Sequence, residues 1–178
     1  MPTVVLVLAL LAGSTPAPLR AQSEAIVVYL VRHAERGNDG TSDPPITPAG
    51  EDRARLLASM LRDAGVTHVH STDYRRTRAT AAPIAEALRL ETSLYDAREL
   101  SALAARLRAA PGRHLVVGHS DTTTALVREL GGDPGPPIAD PEYHRLYVLT
   151  LGPQGTTTVR LRFGAPPAST SAPSSPGS

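Results

Sequence analysis

The sequence predicts an α/β fold, a three-layer α/β/α sandwich with a mostly parallel sheet and a C-terminal hairpin. Two observations carry this. Short aliphatic runs alternate with amphipathic helical patterns along the middle of the chain, the signature of layered α/β architecture. The first run, Ile26-Val27-Val28-Tyr29-Leu30-Val31, is continuously apolar, as a strand buried on both faces of a parallel sheet requires.

The elements follow in order. A polar loop rich in Gly and Pro runs from Gly37 to Pro45 after the first strand. Thr47 and Pro48 then supply an N-cap and a first helical residue, and Ala54, Leu57, Leu61 and Ala64 recur at helical spacing until Gly65. Val66 to His70 reads as a second strand. The next helix is predicted from about Thr77 to Leu88, with Ala81, Ile84, Ala85 and Leu88 on one side and Pro83 inside it. A weaker strand at Thr92 to Tyr95 precedes a helix from about Ser101 to Ala109, which Pro111-Gly112 ends. Leu115-Val116-Val117 is a further buried strand, and Gly118-His119-Ser120 turns from it into a helix closed by Gly131-Gly132. Leu146 to Leu151 and Thr157 to Phe163 read as two late antiparallel strands at a sheet edge, joined through Gly152-Pro153-Gln154-Gly155.

At 178 residues, 41% hydrophobic and 20% charged, the chain has room for one domain with its own core, here assigned to residues 22–164. The apolar run Thr3 to Ala12 has the length of a signal-peptide core and is short for a membrane span. Residues 1–21 are therefore expected to be a signal peptide, the mature protein to be periplasmic or secreted, and no stable membrane insertion to remain after its removal. Residues 165–178 are almost wholly Ala, Pro, Ser, Thr and Gly, a composition expected to form a disordered tail. The formal net charge is +1, and all 18 cations are arginines. With so small an excess and only 3% aromatic residues, no nucleic-acid partner is expected. The absence of cysteine excludes disulfides, thiolate metal sites and a cysteine nucleophile.

Arg32-His33 ends the first buried strand and Gly118-His119-Ser120 ends the later one. Ligands of open α/β sheets bind beyond the carboxyl ends of the strands, so both histidines are expected to face one crevice. Ser71 to Arg78, carrying Arg75, Arg76 and Arg78, follows the second strand and opens a helix, whose free N–H groups favour an anion. No third ligand sits at metal-binding spacing, and arginines surround the place a cation would occupy. A serine nucleophile elbow needs Gly-x-Ser-x-Gly, which Asp121-Thr122 interrupts.

Arg32-His33-Ala34-Glu35, Pro45 to Gly50, Ser71 to Ala81 and Val116 to Ser120 resemble, in order, four motifs of the histidine phosphatase superfamily. That family includes the cofactor-dependent phosphoglycerate mutases and short bacterial phosphohistidine phosphatases. The resemblance implies a metal-independent phosphatase that needs no cofactor, with a phosphohistidine intermediate at His33 and a phosphate pocket of Arg32, Arg76 and His119. Aligning Thr80-Ala81 with the family motif selects Arg76 over its neighbours Arg75 and Arg78. In such chemistry a neutral imidazole nitrogen attacks phosphorus, its other nitrogen held by a hydrogen bond, while cations stabilise the equatorial oxygens.

The proton for the leaving group is less clearly assigned. Glu99 is the first candidate for this catalytic role, with Asp96 and Asp121 as alternatives. The expected partner is a small phosphorylated substrate or a phosphoprotein, the bond cleaved a phosphomonoester or phosphoramidate. The competing reading is a non-catalytic phosphate- or phosphoprotein-binding module with the same pocket. The Gly37–Pro45 loop and the Pro-rich segment Gly132–His144 are expected to shape the rim.

Overall fold

The computed structural model describes residues 25–166. The expected signal peptide, and the expected tail from residue 167 onward, lie outside the described residues. One six-stranded sheet has the order β3-β2-β4-β1-β5-β6. It is built from β1 (Ile26–Arg32), β2 (His68–Ser71), β3 (Thr92–Leu94), β4 (Arg113–Gly118), β5 (Arg145–Gly152) and β6 (Gly155–Arg162). The first four strands run parallel, and β5 and β6 form an antiparallel hairpin added beside β1.

The helices α1 (Pro48–Leu61), α2 (Arg75–Leu88), α3 (Leu100–Ala109) and α4 (Ser120–Glu129) complete a three-layer α/β/α sandwich. Alternation along β1 divides its side chains between the two faces. Val27, Tyr29 and Val31 pack with Leu57 of α1 and Ile84 of α2. Val28 and Leu30 pack with Leu103 of α3 and Leu126 of α4. Both faces are therefore dry, which is why β1 is apolar without a break. Among the described residues, no helix is long and apolar enough to cross a membrane.

Thr47 caps α1, its hydroxyl accepting from the Gly50 amide at 3.1 Å. Gly50 is required by proximity: a Cβ there would lie 2.5 Å from the Glu35 carbonyl oxygen. At the end of α4, Gly131 takes φ 76°, and the Gly131 and Gly132 amides donate to the Arg128 and Val127 carbonyls at 2.8 and 2.9 Å. The second strand forms at His68–Ser71 instead of Val66–His70, because parallel pairing with β4 continues to Ser71 opposite Val117. Val66 remains buried against the core ahead of the strand.

Candidate active site

The crevice lies beyond the carboxyl ends of the central strands. β1 and β4 pair directly, with Arg32 opposite Gly118, and the His33 amide donates to the Gly118 carbonyl at 2.9 Å. The residues after these rungs therefore leave the sheet side by side. The imidazoles of His33 and His119 end 5.5 Å apart, edge to face. A hollow of about 410 Å³ is lined by Arg32, His33, Arg36, Arg76 and His119 together with Tyr74, Ser120 to Thr122, Ala97 and Asp140.

His33 is 3% exposed. Its Nδ1 is 2.7 Å from the Ala34 carbonyl. A carbonyl only accepts, so Nδ1 carries the proton and Nε2 keeps its lone pair. Burial, aided by the fields of Arg32, Arg76 and His119 and opposed by the Ala34 bond, pushes its pKa down to about 3. The ring is held neutral. His119 is also lowered, first by burial and then by Arg76, with Asp121 opposing. Its Nε2 is hydrogen-bonded to the Thr72 hydroxyl at 3.1 Å.

Two loops hold the arginines. Arg32, 4% exposed, donates through Nη1 to the carbonyls of Ala139 and Asp140 at 3.0 and 2.6 Å. Its Nη2 donates to the Asp140 carboxylate at 3.3 Å, and the guanidinium lies over the Tyr143 ring at 4.3 Å. Arg76 donates to Asp43 at 3.3 Å and covers the Tyr74 ring at 4.3 Å. In both arginines Nε is buried and without a hydrogen-bond partner, a costly condition. Thr80 joins the two sides: its hydroxyl accepts from the Ala34 amide at 2.9 Å and donates to the Arg76 carbonyl at 2.7 Å.

Arg32, His33, Arg76 and His119 thus share one crevice. Arg75 and Arg78 are exposed and lie beside Asp39 and Asp73. Glu99 is exposed and sits at the N-cap of α3, two residues beyond Ala97 on the crevice lining. The Asp96 carboxylate receives the Arg98 guanidinium at 2.7 Å, and these hydrogen bonds lower its pKa to about 2. Of the three candidate carboxylates Asp121, in the first turn of α4, is on the lining, where Asp140 also lies. Sequence reasoning missed Arg36, Tyr74, Asp43 and Asp140. Asp43 and Asp140 each share a proline-bearing loop with other carboxylates, Asp39 in the first and Asp133 and Glu142 in the second, so nothing local singled them out.

Residues 28–100 match the model of the histidine phosphatase superfamily, branch 1. Over that stretch the chain is similar to the histidine phosphatase superfamily. It is 43% identical over 77 residues to the protein named "Probable phosphoglycerate mutase GpmB" of Escherichia coli O1:K1, a stretch that is 40% of this chain and 35% of that one. It is 50% identical over 66 residues to the Serratia proteamaculans protein of the same name, 34% of this chain and 31% of that one. The chain thus spans about a third of the length of these relatives. Among solved structures it is similar to the protein histidine phosphatase SixA complexed with tungstate, with a TM-score of 0.63, 23% identity, and coverage of 76% of this chain and 96% of that one. A mycobacterial glucosyl-3-phosphoglycerate phosphatase gives a TM-score of 0.62 at 14% identity, covering 80% of this chain and 100% of that one. These two likenesses establish the fold.

Proposed function

We propose that the protein is a phosphatase that hydrolyses a phosphomonoester or phosphoramidate through a phosphohistidine at His33. The observation that carries this reading is a neutral imidazole whose Nδ1 proton is committed to Ala34, with the guanidinium side chains of Arg32 and Arg76 lining the same crevice. His33 Nε2 forms the N–P bond as the P–O or P–N bond to the leaving group breaks. Asp121 gives the leaving atom its proton. Water then attacks phosphorus, Asp121 recovers a proton, the N–P bond breaks and inorganic phosphate departs. Arg32, Arg76 and His119 hold the equatorial oxygens throughout.

The test is phosphate release by the full chain over a panel of phosphoesters and phosphoramidates, with His33→Ala as control. Release that falls by about 10³-fold or more in the variant is the expected outcome. Turnover that survives the substitution refutes the histidine mechanism, and tight phosphate binding without turnover favours the non-catalytic reading. Transfer of the phosphoryl group to a second hydroxyl in place of water would identify a mutase.

A further inference from the structure

A second hollow, of about 590 Å³, adjoins the crevice on the side of β3. Thr72, Tyr74, Leu94, Tyr95 and Ala97 line it, and Tyr74 and Ala97 belong to both spaces. The boundary is therefore a shared side chain: the Tyr74 ring stands edge-on to His119 at 5.0 Å between centroids. Thr72, at the base of the second hollow, is the hydroxyl that bonds His119.

Tyr74, Leu94, Tyr95 and Ala97 give the hollow apolar and aromatic surface, while the charged residues on its lining, Asp73, Asp96 and Arg98, are held in ion pairs. Asp73 pairs with Arg78 at 3.0 Å and Asp96 with Arg98 at 2.7 Å. Leu94 is 46% exposed and Tyr74 39%, so two large apolar side chains meet water beside a polar site. The connection from β3 to α3 is only Tyr95 to Glu99, and these residues form no covering segment. Such a hollow has the size of small-molecule sites and presents apolar surface that a ligand removes from water.

We propose that this hollow is the leaving-group subsite and that it takes an aryl or arylalkyl group carried on the phosphorylated oxygen. The proposal rests on the phosphatase reading: phosphate sits against Arg32, Arg76 and His33, and the rest of the substrate passes over Tyr74 to lie on Leu94 and Tyr95.

The experiment compares 3-phenylpropyl phosphate with propyl phosphate, whose leaving alcohols are equally acidic, so that the ratio of kcat/KM reads recognition alone. The expected ratio is about tenfold in favour of the arylalkyl ester. In Leu94→Asn the ratio drops to about twofold, and in Leu94→Phe it is kept. A ratio near one in the native chain, or a ratio indifferent to Leu94→Asn in a variant with native circular dichroism, overturns the proposal. If neither ester is hydrolysed, the phosphatase reading fails separately. The hollow is then judged by calorimetric binding of 3-phenylpropylphosphonate against propylphosphonate, where equal affinities overturn it and a preference of about tenfold supports it.

Discussion

At the scale of single residues, reactivity at His33 comes from what surrounds the ring. Burial and two arginines disfavour the imidazolium, and the Ala34 carbonyl fixes the remaining proton on Nδ1. The His33 C2–H resonance is accordingly expected to stay at its neutral position from pH 8 down to pH 5, because the folded pKa is about 3. A midpoint near the usual 6.5 would show a hydrated ring and overturn this account. His33 and His119 were legible in the sequence because each follows a recognisable buried strand. The carboxylate was not. Which of Asp96, Glu99 and Asp121 faces the crevice depends on local geometry at helix starts and turns, and in the folded chain Arg98 takes Asp96 while Glu99 is the exposed N-cap of α3. Asp43 and Asp140 escaped notice for a related reason: loops without periodicity give no direction to a side chain.

Among the elements, β2 carries a feature that its apolar pattern conceals. Val69 faces the α1–α2 layer, so His68 and His70 share the opposite face and stack with His114 of β4, at 4.6 Å between His68 and His114 and 5.4 Å between His70 and His114. The rings stack instead of converging, and among the described residues no group of three or more His, Cys, Asp or Glu is arranged to hold a metal ion. His114 Nε2 is 3.0 Å from the Ala110 carbonyl and so donates. Its Nδ1 must then accept from His70 Nε2 at 3.1 Å, which leaves His70 Nδ1 buried without a partner. Two protons cannot be added without setting N–H against N–H. Burial, followed by the fields of His114, His68 and Arg106, lowers the His70 pKa to about 4. The unfolded chain therefore binds the proton first as pH falls, and stability decreases between about pH 6.5 and about pH 4. His70→Gln keeps a donor toward His114 but does not titrate. It is expected to lose less stability than the native chain between pH 7 and pH 4.5 in denaturant melts, and parallel losses would rule the stack out as a source of acid sensitivity.

For the molecule as a whole, Arg53 ties together segments distant in sequence. Its guanidinium binds both Glu35 oxygens at 2.7 to 2.9 Å and donates to the carbonyls of Phe163 and Ala165 at 2.8 and 3.0 Å. The turn after β1, helix α1 and the end of β6 meet at this one side chain. Arg53→Met leaves the partly buried Glu35 carboxylate without its cation, so a loss of about 3 kcal/mol is expected, with a thermal midpoint lower by roughly 10 °C. A shift within 2 °C would mean that water replaces the arginine at little cost. The layers and the terminal hairpin could be read from apolar runs and turn residues. The strand order could not, since nothing local in Ile26 to Arg32 states that β4 and β5 will flank it; that choice is made by the crossovers and by which faces remain to be covered.

The arrangement of strands also bears on how such a protein diversifies. The two histidines follow one shared rung of adjacent strands in the middle of the sheet, where a change disturbs both helical layers. Arg32 and Arg76 are steadied, and the neighbouring hollow is walled, by loops that branch off separately. Substitutions in residues 37–45, 95–99 or 132–144 can therefore accumulate one loop at a time, altering what is accepted while the shared rung between Arg32 and Gly118 stays as it is. The fold thus separates a central rung that sets the two imidazoles from loops in which all but the residues holding the arginines, Asp43, Ala139 and Asp140, can vary.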